Sequence, residues 1–182
     1  MISIKECGVF VFKLYDQEGN LLEEKRASNM LTSEGSARML NLSFNSSAAG
    51  GQTSYVGLID NSGYSAIAIA DEAADIRQTG TAAAQGWTEI LDASNYTARQ
   101  AGTFGVTDNG GTATASKATW TDATFTFSSS HTLKGAFVAN NSTVGANSGA
   151  NDALIATAIF STGVIAVDAT TTLKVTFEMT LS

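Results

Sequence analysis

The chain contains no proline, one cysteine and one histidine, and it is poor in charge; each shortage closes off a class of protein. Proline cannot donate to a β-ladder, so its absence leaves long pairing strands uninterrupted and hands the turns to Gly, Asn, Asp and Ser. Cys7 alone makes no intrachain disulfide, so the fold rests on packing rather than oxidation, and synthesis in the cytoplasm is expected. One Cys and one His supply no zinc ligand set. Charged residues make up 15% of the chain, against roughly 25% in an average soluble protein. Ten Lys plus Arg face seventeen Asp plus Glu, a net charge of −7, which offers no basic footprint to a nucleic-acid backbone. The longest weakly polar run, Tyr64 to Ala70, is too short to span a bilayer, and Met1-Ile-Ser-Ile-Lys-Glu6 lacks the basic-then-apolar order of an export signal. Neither nucleic acid nor membrane is an expected partner.

What is present is an apolar fraction of 43% in 182 residues. A chain of that length buries roughly 70% of its unfolded surface, enough for a sizeable core. The clearest local signal is the last ten residues, Leu173 to Ser182, which alternate apolar and polar without a miss. Successive strand side chains point to opposite faces, so Leu173, Val175, Phe177, Met179 and Leu181 face a core while Lys174, Thr176, Glu178, Thr180 and Ser182 face outward.

Gly8 to Asn29 reads as a hairpin: Val9 to Tyr15 goes out, Asp16-Gln-Glu-Gly-Asn20 turns, and Leu21 to Ala27 returns. Glu23, Glu24, Lys25 and Arg26 mark the return strand as an edge guarded by charge. The spacing then predicts one short helix, with Thr32 as N-cap, Glu34 in the first turn, and Ala37, Leu40 and Phe44 on its apolar side. Hairpin and helix together occupy 8–44. Tyr55 to Ile59 is a buried strand closed by the turn Asp60-Asn-Ser-Gly63, whereas Ile67 to Ile76 fits a short helix or a crossing segment. Gln78 to Gly86 is small and polar, the composition of a long functional loop. Trp87 to Leu91, Thr103 to Val106, Ala118 to Phe127, Thr132 to Ala139, Leu154 to Phe160 and Val164 to Val167 complete the ordered segments. Short strands separated by Gly, Asn and Ser turns predict an all-β fold: one domain over 1–182, an antiparallel β-sandwich of jelly-roll or immunoglobulin-like kind with one short N-terminal helix.

Chemistry has few places to reside. His131 stands in Ser128-Ser-Ser-His-Thr132 between two strands, where a turn residue is the plainer reading than a catalytic base, and no Gly-x-Ser-x-Gly elbow accompanies it. Asp71, Glu72 and Asp75 lack the alternating oxygens and glycine of a calcium loop and read as a solvated face or helix start. The Gly-rich stretches lack the lysine of a phosphate loop. Glu89 and Asp92 sit in one segment, which does not put two carboxyls across a glycosidase cleft. No cofactor, metal site or catalytic residue is expected. The distinctive constellation is Trp87, Glu89, Tyr96 and Arg99. Arginine stacks on rings and forks onto carboxylates, so these four suit either a packing corner or, if exposed, a platform for a glycan or a protein partner.

The order of pieces carries a resemblance. The N-terminal hairpin, Asn29-Met-Leu-Thr-Ser-Glu-Gly35, Tyr55-Val-Gly-Leu-Ile59, Gly86-Trp-Thr-Glu89, Tyr96 with Arg99, Phe125-Thr-Phe127, Thr132-Leu-Lys-Gly-Ala-Phe137 and the final alternating strand together resemble small tailed-bacteriophage virion structural proteins of a head decoration or cement-like group. The resemblance covers most of the chain and departs from the group's pattern between Ala70 and Gly86. It implies a non-enzymatic virion protein, made in the host cytoplasm, that binds major capsid protein or other virion proteins, with a homotrimer expected from that role. A neck, collar or tail-fibre protein is the alternative virion role. A carbohydrate-binding module using Trp87, Trp120 or Tyr96 and a hydrolase using His131 are the alternatives outside the virion. Charge thins along the chain, with eleven charged residues in 1–40, nine in 41–111 and seven in the last seventy-one. Uncharged outward faces suit assembly, because interface cores are depleted in charge.

Overall fold

The computed structural model describes residues 8–44, 53–62, 67–78, 87–92, 94–102, 104–107, 116–120, 122–145 and 152–181. Cys7, Tyr64, the 108–111 turn and the 79–86 stretch lie outside them.

The described strands form two sheets in a sandwich, antiparallel apart from one short pairing. The first sheet contains β1 (Gly8–Tyr15), β2 (Leu21–Ser28), β8 (Phe104–Thr107), β9 (Ser116–Trp120), β10 (Ala123–Thr126) and β14 (Thr172–Leu181). β14 is its axis: one edge pairs with β1 from Gly8↔Met179 to Tyr15↔Thr172, and the other pairs first with β10 and then with β9. The expected strand Ala118 to Phe127 is thus two pieces, parted near Asp122, whose carboxylate accepts a hydrogen bond from the Thr176 hydroxyl of β14.

The second sheet contains β3 (Met30–Leu31), β4 (Tyr55–Asp60), β5 (Arg77–Gln78), β6 (Thr88–Glu89), β7 (Gln100–Ala101), β11 (His131–Ala139), β12 (Leu154–Ile159) and β13 (Ile165–Val167). β11 is central, flanked by β4 on one side and by β12 and β13 on the other.

The hairpin follows the sequence. Asp16 closes its turn by accepting the Asn20 amide at 2.7 Å, and β2 is the terminal strand of its sheet. Lys25 of β2 reaches inward over the Phe160 ring and donates to the Val164 carbonyl at 2.6 Å, the inward-pointing charge that keeps an edge from recruiting another strand.

The helix α1 (Ser33–Phe44) also starts where Thr32 places it. Thr32 Oγ1 accepts the Gly35 amide at 3.0 Å, satisfying one orphan donor of the first turn. Its contact with the sheet differs from the expected stripe. Among the helix residues whose side chains are described, 33–38, Ala37 is exposed and the buried position is Gly35, where a Cβ would collide with the Ile155 carbonyl of β12; the side chains of Leu40 and Phe44 lie outside the described ones. Only a glycine allows the helix that close to the strand. Glu34 locks the approach, its Oε2 accepting the Ala73 and Leu154 amides at 3.0 and 2.7 Å.

The main core lies between the sheets. Phe10 and Phe12 of β1, Phe125 of β10 and Leu173, Val175 and Phe177 of β14 meet Val56 and Leu58 of β4, Leu133 and Val138 of β11 and Ile165 of β13, and all of these are buried. The alternation of β14 therefore holds through Phe177, and Met179 packs half-buried against the same core. A second cluster covers the opposite face of the second sheet: Ile59, Phe137, Ala139 and Leu154 beneath Ala73, Ile76 and Trp87. The Ile67–Ile76 stretch is thus a crossing segment with one short 3₁₀ turn, Ala73–Asp75, in which Glu72 and Asp75 cap each other. The acidic cluster is a helix start.

Candidate functional site

Two buried polar clusters and one surface cavity concentrate the chemistry of the described residues. In the first cluster, β6 places Glu89 beside Ile59 of β4, and the chain turns at 92–96 to bring Tyr96 and Arg99 back onto it. Arg99 forks onto the carboxylate, with Nε to Oε1 and Nη2 to Oε2 both at 2.9 Å. The Tyr96 hydroxyl donates to Oε1 at 3.0 Å and the Gly145 amide to Oε2 at 2.7 Å. Arg99 also donates from Nη1 to the Asn141 carbonyl and from Nη2 to the Gly145 carbonyl, at 3.0 and 2.9 Å. The Arg99 guanidinium stacks 4.9 Å from the Phe137 ring centroid, and on the apolar side Trp87 packs with its ring centroid 5.7 Å from that of Phe137. Space for this comes from Gly57, where a Cβ would lie 2.7 Å from Glu89 Oε1 and overlap the Phe137 ring.

Trp87, Glu89 and Tyr96 are 0% exposed and Arg99 is 3% exposed. Of the four residues that the sequence singled out, Glu89, Tyr96 and Arg99 are brought into contact and Trp87 reaches them through the Phe137 ring, and all four are closed off from any glycan or partner. Burial pushes the Glu89 carboxyl up and Arg99 and the Gly145 amide pull it back, while burial, with Glu89 beside it, drives the Tyr96 hydroxyl well above its ordinary range. A buried pair in which each carboxylate oxygen of Glu89 accepts two donors ties the 140–145 loop, the 92–99 turn and two strands to one point.

The second cluster centres on Asp92, 1% exposed. Its oxygens accept the backbone amides of Ser94, Asn95, Ser128 and Ser129 at 2.8–3.2 Å, and the Ser128 hydroxyl at 2.6 Å. The Ser129 hydroxyl approaches at 3.3 Å and His131 Nε2 at 3.2 Å. Desolvation pushes the Asp92 carboxyl up, but the Ser128, Asn95 and His131 hydrogen bonds outweigh it and hold the group well below the usual carboxylate range. Asp92 therefore clasps the turn that carries the chain from β10 in one sheet to β11 in the other.

A serine, a histidine and an aspartate in contact invite comparison with a nucleophilic triad. The geometry is wrong for one: Ser129 Oγ and Asp92 Oδ2 approach the same ring nitrogen, Nε2, at 3.1 and 3.2 Å. A relay needs the carboxylate on one nitrogen and the hydroxyl on the other, so that the ring can take a proton from the serine while the aspartate orients it. Glu89 and Asp92 likewise fail as a glycosidase pair, since each is buried in its own set of donors and they face no common cleft.

The cavity, of about 360 Å³, opens where β4 and β13 end and β11 begins, lined by Asp60, Ser62, Ser130, His131, Thr132, Ala166, Val167 and Asp168. Among the described residues no group of three or more His, Cys, Asp or Glu is placed to hold a metal ion, and no helix is long and apolar enough to cross a membrane.

The four corner residues are legible in the sequence, but what surrounds them is not. Nothing in Asn140 to Gly145 announces that its carbonyls close over Arg99, and nothing in Asp92 announces a clasp; the one available signal was the serine run Ser128–Ser130, rich in short donors, next to the lone histidine. Trp87 is buried, whereas among the described residues the exposed large apolar side chains are Leu21, Leu22, Ile69 and Leu91. The fold and the two clusters together define an all-β sandwich whose buried charges fasten loops to sheets. No protein-family model, curated protein or solved structure matches the chain.

Proposed function

We propose that this protein is a non-enzymatic structural component of a tailed-phage virion that decorates or cements the head by binding major capsid protein. The observation that carries the reading is the division of polar groups: the strongest donors and acceptors are consumed inside the molecule, while exposed strand positions such as Thr124, Thr126, Thr132 and Ala166 are short and uncharged. Threonine and alanine surrender little hydration or rotamer freedom on docking, whereas lysine and glutamate surrender both. Leu21 and Leu22, adjacent and 51% and 55% exposed at the free end of the hairpin, supply apolar area to such a contact. Cementing then acts by linkage: surface buried across neighbouring capsomers contributes free energy only in the assembled shell, and opening the shell forfeits it. A homotrimer on a local symmetry axis suits this role. The carbohydrate-module reading loses its rings, because Trp87, Trp120 and Tyr96 are at most 1% exposed.

The test is to image purified particles that incorporate a tagged copy and to count copies per particle. Many copies spread over the head support decoration; a few copies at one vertex or along the tail transfer the protein to the neck, collar or fibre; a particle without it overturns the virion reading.

A further inference from the structure

The cavity at the end of the second sheet has a lining that selects by charge. Asp60 is the last residue of β4 and only 8% exposed, yet its carboxylate lines the opening. Its Oδ1 accepts the Ser62 amide at 2.8 Å, and among the described residues its Oδ2 has no partner. Asp168 repeats the arrangement from the turn after β13, its Oδ1 accepting the Thr170 amide at 2.8 Å and the Thr170 hydroxyl at 2.7 Å, with Oδ2 again unpartnered among the described residues. Each aspartate thus uses one oxygen to fix its own turn and keeps the other. Ser62, Ser130 and Thr132 add short hydroxyl-bearing side chains, and among the described residues no lysine or arginine contributes to the lining. His131, between the two aspartates, has its Nε2 turned to Asp92 and Ser129.

Such a lining repels anions. A neutral ligand would strip water from two carboxylates without replacing the lost charge interaction, an expensive exchange. A divalent ion wants several hard ligands at once, which the described side chains do not assemble here. An ammonium or guanidinium group meets every requirement: it is positively charged, rich in donors and acceptor-free, and able to bridge two separated carboxylate oxygens by charge-assisted hydrogen bonds. The volume of about 360 Å³ is in the range of small-ligand sites. We infer that this cavity, bounded by Asp60 and Asp168, binds a ligand bearing one ammonium or guanidinium group, whether a free small molecule or a basic side chain. The inference stands apart from the virion reading and would survive its failure.

The single histidine provides the probe, since its ring signals in the proton NMR spectrum need no assignment against others. The full chain is titrated with argininamide and with n-butylammonium, and separately with glucose and with calcium alone. Saturable movement of the His131 signals is expected with one or both cations, weakened about tenfold in Asp60→Asn and in Asp168→Asn. Asparagine keeps the oxygen that each turn needs, so both variants should fold; if circular dichroism shows that Asp60→Asn does not, Asp168→Asn alone decides. A five-residue blocked peptide with one central arginine separates the sources: binding equal to argininamide indicates a side-chain site, and exclusion indicates a free small molecule. Absence of saturation with either cation, unchanged binding in the folded variants, or saturation by glucose or calcium instead would overturn the inference.

Discussion

The six-stranded sheet presents one face to water, and the eight-stranded sheet presents neither along 135–139 of β11 and 56–60 of β4. The difference is written into the residues. β14 alternates, with Leu173, Val175 and Phe177 buried and Lys174, Thr176 and Glu178 half-buried. β11 instead runs Gly135-Ala-Phe-Val-Ala139 without a break, all buried, and β4 runs Val56 to Asp60 likewise. A strand covered on both faces has no position left for a solvated side chain, so its sequence becomes continuous. Covering the second face has a consequence: the polar groups of the crossing segments come with it, and they are the Glu89–Arg99 corner and the Glu34 clasp. One sheet tolerates water, while the other pairs the charged groups of its crossing segments internally and leaves the buried Thr157 hydroxyl and Trp87 indole N–H without partners among the described residues.

The sharpest way to break the contrast is to unpair the corner. Arg99→Met leaves Glu89 buried against Tyr96 with its main counter-charge gone, and urea unfolding should show a loss of about 3–5 kcal/mol. Replacing both partners, Glu89→Leu with Arg99→Met, should recover much of that loss, and a double variant as unstable as the single one would refute the pairing as its cause. Next comes Phe137→Ala on the outer face of β11, expected to cost about 3–5 kcal/mol by cavity formation, whereas Thr124→Ala on the outward face of β10 should stay within about 0.5 kcal/mol. Equal effects at the two positions would erase the distinction between the sheets. Gly57→Ala should cost about 1–3 kcal/mol by overpacking, because its Cβ would press on the Phe137 ring and Glu89 Oε1.

The smallest effect sought is a pH dependence at the clasp between the sheets. The Asp92 carboxyl titrates well below its unfolded value, so the folded state binds fewer protons than the unfolded one near pH 4. Its contribution is therefore complete above about pH 5, where the unfolded carboxyl, with its pKa near 3.9, is ionised, and is lost as acid drives the pH down toward the folded value. Chemical denaturation of wild type and Asp92→Asn should show a stability gap at pH 7 that narrows steadily below about pH 4. A gap independent of pH would assign Asp92 a purely steric role.

Legibility in the sequence followed the range of the interaction. The hairpin, the Thr32 cap and the final strand were readable because their causes lie within a few residues: a turn, a hydroxyl three positions from an amide, a period of two. Ala37 misled because helical spacing says which residues share a face but not that a neighbouring strand approaches closely enough to demand Gly35. Ala118 to Phe127 looked like one strand because nothing local shows that β14 is long enough to pair with two pieces in succession. Trp87, Glu89, Tyr96 and Arg99 were recognisable as a set, since ring, carboxylate and guanidinium have matching chemistry. Whether the set faces water or core depended on the 140–145 loop arriving over it, some forty residues later.

The amino-acid order by itself determined that this chain is a β-protein with one short helix, without an intrachain disulfide, weakly charged and without a Cys/His set for zinc, because composition and short-range periodicity suffice for those. The tertiary structure alone decided that the second sheet is buried twice, that the corner is sealed, that serine, histidine and aspartate form a clasp rather than a relay, and that Asp60 and Asp168 share a cavity. Those outcomes depend on contacts between residues tens to more than a hundred positions apart, and a side chain's exposure is set by what arrives from elsewhere in the chain rather than by its sequence neighbours.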